Sequence, residues 1–153
     1  MKPYRKFRPF QIRWKEAMGD KNDPYLYRWT FLFFNYSIRI HHWIKSDDTR
    51  FFHDHSSDFY SIVVKGKYTN VTPVGRFEVS APSIWHSDAL KRHYLEIPKE
   101  GAWTLLFCGR PYNKWAFYDK GGQRKMRPLR YFHTYGGSAM NYPATKDRWV
   151  SIG

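Results

Sequence analysis

Residues 51–66 read FFHDHSSDFYSIVVKG. His53 and His55 stand one residue apart, Asp58 lies three places after the second, and an aromatic and β-branched run from Phe59 closes at Gly66. In an extended strand, residues i and i+2 face the same way. Two imidazoles at this spacing can therefore converge on one point. The composition of residues 59–64 predicts a strand, and Gly66 marks a corner where the strand changes direction. The stretch supports two readings: a metal site at the mouth of a β-barrel, or a polar turn that contains histidines.

The surrounding sequence favours the barrel. YLYRWTFLFF from Tyr25 and YSIRIHHWI from Tyr36 are rich in strand formers, and Ser37, Arg39 and His41 alternate with Tyr36, Ile38, Ile40 and His42. Further strands are predicted in DFYSIVVKGKYTNVTPVG, in RFEVSAPS and through HYLEIPKEGAWTLLFCGRPYNKWAFYDKGG. Turn signals recur about every ten residues, the spacing of an all-β sandwich or barrel. Before Tyr25 the chain is basic, and IRWKEAMGD is read as two helical turns stopped by Gly19. The expected organisation is an N-terminal extension over 1–24, a barrel over 25–120 and an irregular tail over 121–153.

The chain has 153 residues, enough for one domain with its own core. Its formal charge is +13, which points to a polyanionic partner such as nucleic acid or a nucleotide. Aromatic residues make up 20% of the chain, more than a core this size needs, so some rings are expected to line a groove or an interface. Cys108 is the single cysteine, so no intramolecular disulfide forms and a reducing compartment is implied. The basic N-terminus has no apolar segment of a secretory signal, and Arg28 interrupts the longest apolar stretch, which is too short to span a bilayer. The expectation is the cytoplasm, or the host cytoplasm for a viral chain, with no membrane partner. There is no G-x-S-x-G and no complete phosphate-binding loop, and Cys108 sits in an apolar run, which argues against nucleophilic and P-loop chemistry.

A third histidine, His93, opens another predicted strand about forty residues after the pair. Adjacent strands would set it opposite His53 and His55. Neutral imidazole suits Fe, Zn, Cu, Ni and Mn, and a facial site adds a carboxylate or a further histidine while keeping positions open. Asp54, between the pair, is expected to face solvent or a turn. Of the neighbours His41 and His42, only one can face inward, and both are read as structural or surface residues.

This arrangement resembles the cupin superfamily, whose first motif is a histidine pair, a glutamate and a glycine corner, and whose second is a proline-containing turn followed by a histidine. HDHSSDFYSIVVKG stands in the first position and APSIWHSDALKRHYLEI in the second. Together with KRHYLEI, WTLLFCGRP and KWAFYDKGG, the pattern is also similar to small cupin-like proteins encoded by phages. The resemblance implies a double-stranded β-helix (a jelly-roll barrel) over roughly residues 50–117 and a metal-dependent enzyme. Iron(II) with dioxygen is the first choice of chemistry, with Zn, Mn or Ni as alternatives.

With Gly66 aligned, the family glutamate falls on Phe59, and the acid here is one place earlier, at Asp58. A regular strand turns Asp58 away from the metal. A bulge could re-aim it, or it could orient an imidazole, or the site is three histidines. His86 follows Pro82 at nearly the family distance. His93 is preferred as the third ligand and His86 is the alternate.

Tyr60, Arg92 and Arg110 are the candidates for orienting an anionic substrate, a nucleotide or a nucleic-acid-related molecule. Basic residues interleave with rings in YRKFRPF, IRW, RPYNKWAFY and RKMRPLRYF, a composition that suits single-stranded nucleic acid. The competing reading is a non-catalytic module that binds nucleotide or nucleic acid, a phage regulator or sequestering protein. A homodimer is compatible with either.

Overall fold

The computed structural model describes residues 9–20, 22–47, 49–126 and 150–151, and they form an all-β fold. Three long strands open it: β1 (Phe10–Asp20), β2 (Asp23–Phe33) and β3 (Tyr36–Trp43). The short β4 (Phe52–His53) follows, and then the 14-residue β5 (Phe59–Thr72). The chain continues through β6 (Gly75–Ser80), β7 (Ser83–Ser87), β8 (Tyr94–Glu96) and β9 (Ala102–Cys108). It closes with β10 (Phe117–Tyr118), β11 (Arg124–Met126) and β12 (Val150–Ser151).

All pairings are antiparallel. The larger sheet runs β1-β2-β3-β9-β5-β6, with β7 and β8 also on β5, and the smaller runs β12-β11-β10-β4. β5 can serve four neighbours because it bends. Its first half pairs with β9 and β7, its second half with β6 and β8. The bend is at the predicted corner: the register with β9 shifts between Val63 and Lys65, and Gly66 has φ +80°. A Cβ at Gly66 would lie 2.5 Å from the Gly101 carbonyl oxygen, so glycine is required both for the dihedral and for the close approach.

The helical turns expected over residues 12–20 do not form. That segment lies within β1, paired along β2. One inserted residue, Lys15 at φ +47°, lets the strand keep its faces in phase on either side of a register shift between Arg13 and Glu16. This bulge breaks the alternation that would have revealed a strand. The segment expected as an extension therefore supplies an edge strand to the larger sheet. Much of the tail, and the YRKFRPF segment, lie outside the described residues.

The largest apolar cluster packs Leu26, Trp43, Val63, Tyr68, Leu95 and Ala102 together. A second cluster, Phe52–Val71–Tyr94–Ala116–Tyr118, joins the smaller sheet to β5 and β8, and a third, Phe51–Phe117–Met126, lies along the smaller sheet. Burying each large side chain stabilises by about 1.5–3 kcal/mol. The outer face of the larger sheet leaves Ile12, Trp14, Tyr60, Ile84 and Phe107 exposed. Among the described residues, no helix is long and apolar enough to cross a membrane.

Candidate metal centre

His53 ends β4 and is held to His93 by a reciprocal backbone bridge, His53 N to His93 O at 2.9 Å and His93 N to His53 O at 3.0 Å. His55 lies two residues on, its N–H bonded to the Ala89 carbonyl at 2.8 Å. The bridge sets His93 across from the pair. The three rings form a near-equilateral triangle, with centroids 5.2 Å (His53–His55), 5.0 Å (His53–His93) and 4.8 Å (His55–His93) apart. One nitrogen from each lies within 4.8 Å of the others.

The electrostatics suit neutral ligands. Burial, then the neighbouring imidazoles, hold His55 and His93 well below the usual histidine range. His93 Nδ1 contacts Asn70 Oδ1 at 2.7 Å. Because the amide oxygen accepts, Nδ1 carries the proton and the Nε2 lone pair faces inward. His93 Nε2 lies 3.3 Å from His55 Nε2. With metal–nitrogen bonds of about 2.0–2.1 Å, adjacent ligands sit about 2.9 Å apart around an octahedral ion and about 3.3 Å around a tetrahedral one. The donor set and its spacing fit a divalent transition metal. Asp47 Oδ2 lies 4.0 Å from His53 Nδ1, and Asp47 Oδ1 accepts from Leu95 N at 2.9 Å. This places a carboxylate near one imidazole, beyond hydrogen-bond length.

The structure thus brings His53, His55 and His93 together. It does not bring Asp58 or His86 to them. Asp58 precedes β5, and its Oδ1 accepts from Ala89 N at 2.7 Å and Tyr112 Oη at 2.6 Å. Those bonds hold its carboxyl below the usual range. His86 pairs with Tyr60 across β7 and β5, their rings tilted with centres 4.7 Å apart on the outer face, and groups with Asp58 and the exposed Asp88. The strand period explains both outcomes: Phe59 and Ser87 face inward, so their neighbours Tyr60 and His86 face out.

The three residues read as orienting an anionic substrate are also displaced. Tyr60 is exposed. Arg110 lies 5.1 Å from the centre of the Tyr36 ring, at the exposed end of the sheet. Arg92 precedes His93 and so points to the opposite side, 3.7 Å over the Tyr118 ring. Asp54, expected at the surface, is 3% exposed. It accepts from Ala116 N at 2.7 Å, Asn113 Nδ2 at 3.0 Å and Tyr118 Oη at 3.1 Å. It pins the histidine pair to the segment before β10, a role that a lone acid in a sequence does not announce.

Of the adjacent histidines, His41 is buried inward beside Trp43, and His42 faces out, stacked on Trp103 at 4.1 Å. Sequence reasoning gave no role to Asp47, Asn70, Arg28 or Arg39. For the arginines a signal was present. Along the middle of β2 and β3, polar Arg28, Thr30, Ser37, Arg39 and His41 alternate with aromatic or branched Trp29, Phe31, Ile38 and Ile40. Which face is inside is decided only by the sheet.

Neither protein-family models nor curated proteins match the chain. Solved structures do. FeII HppE superposes at TM-score 0.52 and 9% identity, over 65% of this chain and 56% of its own, so the present chain spans little more than half its length. A cupin-2 domain protein from Rhodospirillum rubrum gives 0.50 at 16% identity, over 71% of this chain and 82% of its own. A point variant of Streptomyces PAC13 with uridine gives 0.52 at 11% identity, over 78% and 93%.

Proposed function

We propose that this chain, which has the cupin fold, is a metal-dependent cupin enzyme acting on an anionic substrate, with His53, His55 and His93 as the metal ligands. The observation that carries this reading is the convergence of three imidazoles, two of them held neutral, inside the barrel. Three protein ligands leave coordination positions for substrate or oxygen. Bound there, a divalent metal supplies Lewis acidity and, for iron, reaction with dioxygen. Iron(II) is the metal we assign first; Zn, Mn and Ni share the preference for imidazole.

The chain's own groups orient the centre. Asn70 fixes the His93 tautomer, and Asp54 anchors the segment bearing both His53 and His55, with Asp47 4.0 Å from His53. The charge of +13 supports an anionic substrate, a nucleotide or a nucleic-acid-related molecule.

Elemental analysis after metal-free purification and reconstitution tests the reading. About one transition metal per chain is expected, with a sharp fall in the double variant His53→Ala, His55→Ala. If the wild type takes up no metal and the double variant is equally stable, the enzyme reading is abandoned and the barrel is a binding module. Affinity for single-stranded oligonucleotides that falls steeply with salt supports a nucleic-acid substrate; a flat response removes it.

A further inference from the structure

The middle of the inner face of β2 and β3 is inverted relative to an ordinary half-buried sheet. Ser37, Arg39 and His41 point inward, while Ile38 and Ile40 lie on the outer side. Register sets Arg28 beside His41 and Thr30 beside Arg39, and β9 adds Thr104 opposite His41. Hydrophobic burial would select the reverse pattern. Something other than packing is served.

The groups are under-used. His41 is 7% exposed, and neither of its ring nitrogens has a hydrogen-bond partner. Arg39 Nε donates to Ser37 Oγ at 3.2 Å. Arg28 Nε lies 3.8 Å from Glu16, without a hydrogen bond, and Arg13 shares that same carboxylate at 4.0 Å. One carboxylate thus faces the guanidinium groups of Arg13 and Arg28, with Arg39 close by. Trp43 Nε1 donates to Thr104 Oγ1 at 3.3 Å, which leaves the Thr104 hydroxyl hydrogen to donate elsewhere. Uncompensated positive charge inside a fold is costly unless something pairs with it. The site also adjoins the metal centre through the register: Ser37, two residues before Arg39, lies across Cys108 from Phe59, whose ring centre is 4.8 Å from that of His55.

We propose that Arg28, Arg39 and His41 form a seat for an oxyanion of the substrate, a carboxylate or a phosphate, inside the barrel beside the three histidines. Planar guanidinium forks match the two oxygens of either group. Glu16 holds Arg28 until the anion arrives. Calling the anion part of a substrate rests on the metal-enzyme reading; the seat itself is a property of β1, β2 and β3.

Calorimetric titration of the metal-free full chain, with inorganic phosphate and with malonate at constant ionic strength, tests the seat. Saturable one-to-one binding of at least one is expected, and the preferred anion names the chemical source. Arg39→Gln should weaken binding at least tenfold, and Arg39→Lys should fall between it and the wild type. Glu16→Gln should tighten binding because it releases Arg28, an effect that loss of folding cannot mimic. Arg110→Gln should leave binding unchanged. Absence of saturable binding in both series, or wild-type affinity in Arg39→Gln, overturns the seat. Metal content measured in parallel separates the two readings: metal without anion binding removes only the seat, and anion binding without metal removes only the enzyme.

Discussion

Replacing Asp54 by alanine tests whether the histidine pair is held by its own loop or by a buried carboxylate. In the wild type, Asp54 closes a ring with Ala116, donating N–H to its carbonyl at 3.2 Å and accepting its N–H at 2.7 Å. It also accepts from Asn113 and Tyr118. Asn113 keeps a second acceptor, the His55 carbonyl at 2.8 Å, so its loss is small. Ala116 is fully buried and Tyr118 nearly so. Each buried donor that loses its acceptor costs about 1–3 kcal/mol. Two such donors give a gross loss of about 2–6 kcal/mol. Removing a carboxylate that is itself costly to bury offsets part of this, and the Arg92 charge left behind adds to it. A net loss of about 3 kcal/mol follows, a large share of a typical domain's stability. Urea unfolding of the full chain measures it, and Asp54→Asn, which keeps an acceptor for Ala116 N, should fall between. Metal affinity should drop about 10–100-fold as the pair loses its anchor. A loss under about 1 kcal/mol together with unchanged metal uptake would refute the reasoning.

Asn70→Ala should leave the fold intact but weaken metal binding about 10–100-fold, read by competition with a chelating dye, because the His93 tautomer is no longer fixed. Gly66→Ala should destabilise by more than about 2 kcal/mol in thermal or urea unfolding, since both the positive φ and the 2.5 Å approach to Gly101 O exclude a Cβ; a near-neutral effect would mean the corner is misjudged. Asp58, whose folded pKa is depressed by Tyr112 and the Ala89 amide, stabilises above its unfolded pKa and loses that contribution as pH falls through the folded value. Asp58→Asn should therefore flatten the acid limb of the stability–pH curve below about pH 4, and an unchanged limb would show that Asp58 does not drive it.

The readability of the chain followed its periodicities. Where the period of two runs unbroken, as in Tyr36–Trp43 and the start of β5, the strands were legible. Where a bulge interrupts it, as at Lys15, the same residues looked helical. His53 and His55 were legible as a pair because their spacing is local, and His93 as a partner because a strand was expected to bring it back.

What the sequence determined by itself was the all-β class, the Gly66 corner and the set of histidines able to converge, since all three follow from local spacing and backbone dihedrals. It read residues of β1 as helical turns and left the face on which Asp58 and His86 lie undecided. Tertiary structure alone made Asp54 a buried anchor, set Asn70 and Asp47 near the imidazoles, and turned Arg28, Arg39 and His41 inward. Alternation says that two faces differ; only the closing of one sheet against another says which of them is shielded from water, and so which side chains meet.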